Sequence, residues 1–95
     1  MQSTLVWDEP KRIANLAKHG LALSDAERLE WSAALLWPDQ RMDYQEARMV
    51  GLVPDGARLF CVVFVDRPAD APTERRVISL RKANNREVQR YASND

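Results

Sequence analysis

Reactive and metal-binding side chains are scarce in this 95-residue chain: cysteine and histidine occur once each, as Cys61 and His19, and glycine three times. One cysteine closes no intrachain disulfide. A lone Cys and a lone His among scattered carboxylates also form no C-x2-C or H-x3-H pair, which argues against a disulfide scaffold and a hydrolytic metal site. No metal or other cofactor is expected. Three glycines leave no glycine-rich phosphate loop, and no G-x-S-x-G turn is present, so the usual signals of nucleotide hydrolysis and acyl transfer are missing. The longest apolar run, Leu59 to Val65, is about a third of a bilayer crossing. The first nine residues lack the basic-then-apolar pattern of a secretory leader. A cytoplasmic protein without a membrane partner is expected. Neither sign of charge is in excess, since 14 Lys and Arg face 14 Asp and Glu; any anion site must therefore be local.

What is present is a globular composition, 45% hydrophobic and 29% charged, of a length that suits one small domain over residues 1–95. Asp8, Glu9 and Pro10 supply a cap, an acidic first turn and an early proline, and Gly20 supplies a stop, so a helix is predicted over 9–19. Ile13, Leu16 and Ala17 form its predicted buried stripe, with Lys11, Arg12, Asn15 and Lys18 toward water. Val6 and Trp7 suggest a short strand ahead of it. Ser24 to Glu27 has capping-box spacing and opens a second short helix to about Trp31. Ala33 to Trp37 reads as a strand. Residues 47–53 and 58–65 flank Pro54-Asp55-Gly56 as a β-hairpin, and unbroken apolarity from Leu59 to Val65 marks a central strand covered on both faces. A loop with Pro68 and Pro72 leads to a strand over 76–81, and Asn84 or Asn85 caps a last helix through Arg90 and Tyr91. The order predicts an α+β domain: an antiparallel sheet of about four to five strands with two N-terminal helices and one C-terminal helix.

The neutral total hides an asymmetry. Residues 75–91 hold Arg75, Arg76, Arg81, Lys82, Arg86 and Arg90 against Glu87 alone, a local net charge of +5. Arginine offers phosphate two donors at once and stays charged at any working pH; the bland counterpart is a solvated face. RNA carries its own nucleophile in the 2′-hydroxyl, so cutting it needs only a base, an acid and cations for the developing phosphorane charge. Cys61, mid-strand in an apolar run, reads as inert packing.

Trp7-Asp8-Glu9-Pro10-Lys11, Asn15 and Lys18-His19-Gly20 are followed by Asp43-Tyr44 with Glu46 and Arg48, then by Ile78-Ser79-Leu80-Arg81-Lys82-Ala83 with Glu87 and Tyr91. In that order they resemble the BrnT family of bacterial toxins over nearly the whole chain. Gln45 and Leu80 stand where the family commonly has glycine and alanine, and the 66–74 loop looks longer than usual. The resemblance implies a RelE-like ribonuclease fold and a toxin that halts translation by cutting RNA. It also implies a small ribbon-helix-helix antitoxin that covers the toxin and represses the shared operon, so that operator DNA is met only through the antitoxin complex.

Carried over by position, the resemblance makes His19, Arg48 and Arg81 the catalytic candidates and Lys18, Lys82, Glu46 and Tyr91 the contacts to RNA or phosphate. Each has a structural alternative. His19 can cap a helix end or exchange protons near neutrality; Glu46 can pair with Arg48; Tyr91 can stack on a base or pack on the sheet. Arg81 and Lys82 alternate, so only one of them faces a given cleft. Trp7, Trp31 and Trp37 read as core or partner surface, with Trp37 the best exposed anchor. The rival to an enzyme is a non-catalytic, antitoxin-binding co-repressor module acting in a DNA-bound complex.

Overall fold

A computed structural model of the chain describes residues 4–40, 46–68 and 70–94; Asp43, Tyr44 and Gln45 lie outside them. Strand β1 (Thr4–Val6) leads into helix α1 (Glu9–His19). The helix starts where Asp8 Oδ2 accepts from the Lys11 N–H at 3.3 Å. It ends at Gly20, whose φ of 72° suits a residue without Cβ and whose N–H donates to the Leu16 carbonyl. The predicted second short helix is a 3-10 helix over Leu23–Arg28, followed by a 3-10 turn over Trp31–Ala33. The capping hydrogen bond there runs from the Ala22 N–H to Asp25 Oδ2 at 3.0 Å, two residues before the Ser24–Glu27 pair.

Strands β2 (Leu35–Pro38), β3 (Arg48–Asp55), β4 (Arg58–Arg67) and β5 (Glu74–Lys82) precede helix α2 (Asn85–Ser93). The sheet order is β1-β5-β4-β3-β2. The fold is the expected α+β, and its central strand is β4, as the Leu59–Val65 run implied. The β3–β4 hairpin closes on Gly56 and Ala57, with Asp55 opposite Arg58; a positive φ (60°) at Gly56 alone is what a two-residue II′ loop asks. The sheet is antiparallel except at one edge, where β1 runs parallel to β5. Most of the chain intervenes between that pair, so no tight turn dictates its direction.

Two apolar clusters cover the two faces. On the first face Phe60, Val62, Phe64, Val77, Leu80 and Val53 pack against Leu23 and Ala26 of the first 3-10 segment and Leu29 just after it. On the second face Val50, Leu52 and Cys61 pack with Leu35, Trp37, Leu59, Ala83 and Tyr91, so α2 covers one end of that face. All three tryptophans belong to these clusters. Trp37 lies half-buried beneath Arg90, whose guanidinium is 3.9 Å from the ring centroid, and is not an exposed anchor.

Helix α1 faces the opposite way from the predicted stripe. Ile13 and Leu16 are 56% and 46% exposed, Ala17 is exposed, and the buried residue is Asn15 at 8%. The cause is the β5 edge. Beyond β1 the Leu80 backbone has no strand partner on that side, and the Asn15 amide donates to its carbonyl at 2.8 Å and accepts from its N–H at 3.2 Å. An unmet backbone pair in a buried place costs more than leaving two aliphatic side chains in water.

Candidate functional site

Cross-strand register arranges the second face as rows. Leu35, Leu52, Cys61 and Arg81 form the row beneath α2; Trp37, Val50, Val63 and Ser79 form the next; Arg48, Val65, Arg76 and Val6 form the third. Past the third row, Arg67 pairs with Glu74, and Arg67 donates to Glu46 Oε2 at 2.6 Å. Arg48 and Arg81 thus share one face, as the motif reading required. They stand two strands and four residue positions apart, about 10 Å across and about 13 Å along the strands.

Arg81 is not free on that surface. Its two terminal nitrogens donate to both Glu87 oxygens at 2.8 and 2.9 Å. Glu87 also accepts from the Asn84 N–H at 2.9 Å, closing the N-terminal box of α2, and from the Cys61 thiol. The Arg81 hydrogen bonds lead in holding the Glu87 carboxyl down at about 2, against the opposing effect of burial. Cys61 is buried as predicted, and its thiol is one donor in this network.

Arg48 is half-buried at the start of β3, with its Nε 3.9 Å from Glu46 Oε1. Glu46 is therefore shared between Arg48 and Arg67. Lys82 pairs with Phe60 on the first face and is exposed, so it points away from Arg81. Tyr91 packs on the second cluster, and its hydroxyl donates to the Ala33 carbonyl at 2.7 Å. Lys18 is exposed and His19 half-buried in the last turn of α1. Val6 lies beside Arg76 and Asn15 beside Leu80, so α1 advances in the direction of β5. His19 lies about 6 Å beyond Asn15, toward the Arg81 end of the strand.

The basic stretch 75–91 does not form one patch. Arg75 lies on the first face, doubly bonded to Asp66 at 2.7 and 2.9 Å, with its guanidinium 4.3 Å from the Phe64 ring centroid and 4.8 Å from that of Trp31. Arg76 and Arg81 face the other way. This follows from a β-bulge: Val63 opposes Ser79 while Phe64 opposes Val77, so Ile78 is the extra residue and parity changes across it. Sequence alternation groups Arg76 with Leu80, on the wrong side, and Arg76 is the site-face residue that the motif reading missed.

These features define a class: a small α+β domain with an arginine-bearing sheet face left partly open by its terminal helix. Residues 7–87 match the family model described as ribonuclease toxin, BrnT, of type II toxin-antitoxin system, and the chain belongs to that family. No curated protein matches the chain. Membership brings an RNA substrate and an antitoxin partner at the level of the family. No helix among the described residues is long and apolar enough to cross a membrane.

Proposed function

We propose that the chain is a metal-independent endoribonuclease toxin of the cytoplasm, blocking translation by cutting RNA laid across the open rows of the second face. The observation that carries this reading is that Arg48 and Arg81, 33 residues apart in sequence, bracket Val63 and Ser79 on one face. Arginine stems can bring both guanidinium groups toward a phosphate above that row, where they offset charge developing on the phosphorane. Arg81 does so by exchanging Glu87 for phosphate. The 2′-oxygen attacks phosphorus, a cyclic phosphate forms and the 5′-oxygen leaves. His19 exchanges the protons, one removed from the 2′-hydroxyl and one delivered to the leaving oxygen. Lys18, Glu46 and Tyr91 contact the flanking strand or its phosphates, and Lys82, on the opposite face, meets only RNA that wraps the edge of the sheet.

The partner on this reading is a small ribbon-helix-helix antitoxin, and operator DNA is reached only through their complex. Purified chain incubated with single-stranded RNA and EDTA should cut it, and addition of the antitoxin encoded beside it should stop the cutting. Intact RNA, together with operator binding by the complex, would replace the enzyme with a co-repressor.

A further inference from the structure

Five lysine or arginine side chains among the described residues are half-buried: Arg12, Arg48, Arg75, Arg76 and Arg81. Four have a carboxylate partner, in Glu9, Glu46, Asp66 and Glu87 respectively. Of the five, the Arg76 side chain alone has no hydrogen bond or ion pair among the described residues. A cation held partly out of water without a counter-ion loses hydration that no described residue returns, a cost that an anionic ligand removes.

Its position says where that ligand sits. Arg76 and Arg48 are both cross-strand neighbours of Val65, on the face that α2 leaves open, with Cα atoms about 10 Å apart. Val65 is only 3% exposed yet belongs to neither apolar cluster, and Arg48 and Arg76 are its cross-strand neighbours on either side. Arg48 already has Glu46 beside it and Arg76 has no such carboxylate, so a phosphodiester bound between them supplies Arg76 with its counter-ion while accepting from both forks at once.

We propose that Arg76 is a further substrate-contacting residue, which with Arg48 grips the RNA phosphate lying over Val65. This rests on the ribonuclease reading and adds to it a second phosphate position, one row further along the strands from the one shared by Arg48 and Arg81, in the row that includes Val6. Strand backbone therefore runs along β5 across the open rows, and recognition there is of phosphate, not of base.

The test uses Arg76→Met, which keeps an aliphatic stem and removes the charge, beside Arg76→Lys and, as a control, Arg58→Met at the hairpin end of the sheet. Binding of a fully 2′-O-methylated single-stranded oligoribonucleotide, which cannot be cut, is measured from low to high salt, with RNA cleavage and melting in parallel. Arg76→Met is expected to weaken binding about 10- to 100-fold, the scale of one charge-assisted contact. The slope of log K against log salt should fall by about 0.7, the value of one phosphate on a single strand. Arg76→Lys recovers the slope, and Arg58→Met changes neither. Cleavage falls with binding while melting stays within a few degrees. An Arg76→Met protein that binds with unchanged affinity and slope overturns the proposal. If wild-type protein cuts no RNA, the ribonuclease reading fails by itself, and the salt slope still decides whether Arg76 holds phosphate.

Discussion

The Asn15 side chain and the Leu80 backbone are joined by two hydrogen bonds, with the amide nitrogen giving one to the carbonyl and the amide oxygen receiving one from the N–H. Asn15 thereby does for β5 what one more residue of β1 would do, and it gives a second bond to the Leu21 carbonyl at 2.7 Å. Asn15→Ala should cost about 2–3 kcal/mol, since it leaves buried backbone groups unmet. Ile13→Ser and Leu16→Ser, on the exposed side of the same helix, should each cost about 0.5 kcal/mol or less. Urea unfolding of the three variants checks the order, which a buried Ile13–Leu16 stripe would reverse.

Glu87 sets the acid limb of stability. Its carboxyl titrates near 2 in the folded chain, below the ordinary 4.5, so the unfolded chain takes up the proton first. The stabilisation is complete above about pH 4.5 and is lost as pH falls toward 2. Glu87→Gln should therefore be less stable than wild type at pH 7, by roughly 1–2 kcal/mol after allowing for water around the partly exposed Arg81. The gap should close by pH 2, and melting curves at both pH values measure it.

Arg48→Ala and Arg81→Ala should each slow RNA cleavage about 100-fold or more, the scale of a lost transition-state donor. Their stabilities should differ. Arg81→Ala also unfastens Glu87 from β5 and should lower the melting temperature by several degrees, whereas Arg48→Ala should lose less than about 1 kcal/mol. Cleavage rates set beside melting temperatures separate the two effects.

Arg75 and Arg76 are neighbours in sequence on opposite faces, so their variants should have opposite signatures. Arg75→Ala removes a two-bond pair with Asp66 and contacts to the Phe64 and Trp31 rings, and should cost about 2 kcal/mol. RNA cleavage at a temperature where the variant is folded should be unchanged. A loss of cleavage without a loss of stability would place Arg75 on the substrate face and contradict the bulge.

The features legible in the sequence were those whose cause is local. Asp8 and Gly20 bound α1, Asn84 and Glu87 box the start of α2, and Gly56 closes the hairpin, because each cap or turn is made by residues a few positions apart. Central β4 was readable from a run apolar on both sides. The features that were not legible depend on distant strands. The side of α1 that is buried is decided by where β1 ends along β5, and the face that Arg76 occupies is decided by Ile78, whose insertion is visible only once β5 pairs with β4. Arg48 and Arg81 were grouped by the family motifs and not by any local pattern, and it is the register of β3 and β5 on β4 that sets them on one face. The motif reading placed neither the Glu87 pair nor the unmatched Arg76, since both depend on what stands opposite.

The bond between Arg81 and Glu87 has a thermodynamic consequence for any anion that recruits this guanidinium. Such a ligand competes with a carboxylate that belongs to the C-terminal helix, so part of its binding energy goes into loosening that helix. By reciprocity, whatever tightens the helix onto the sheet weakens the ligand by the same factor.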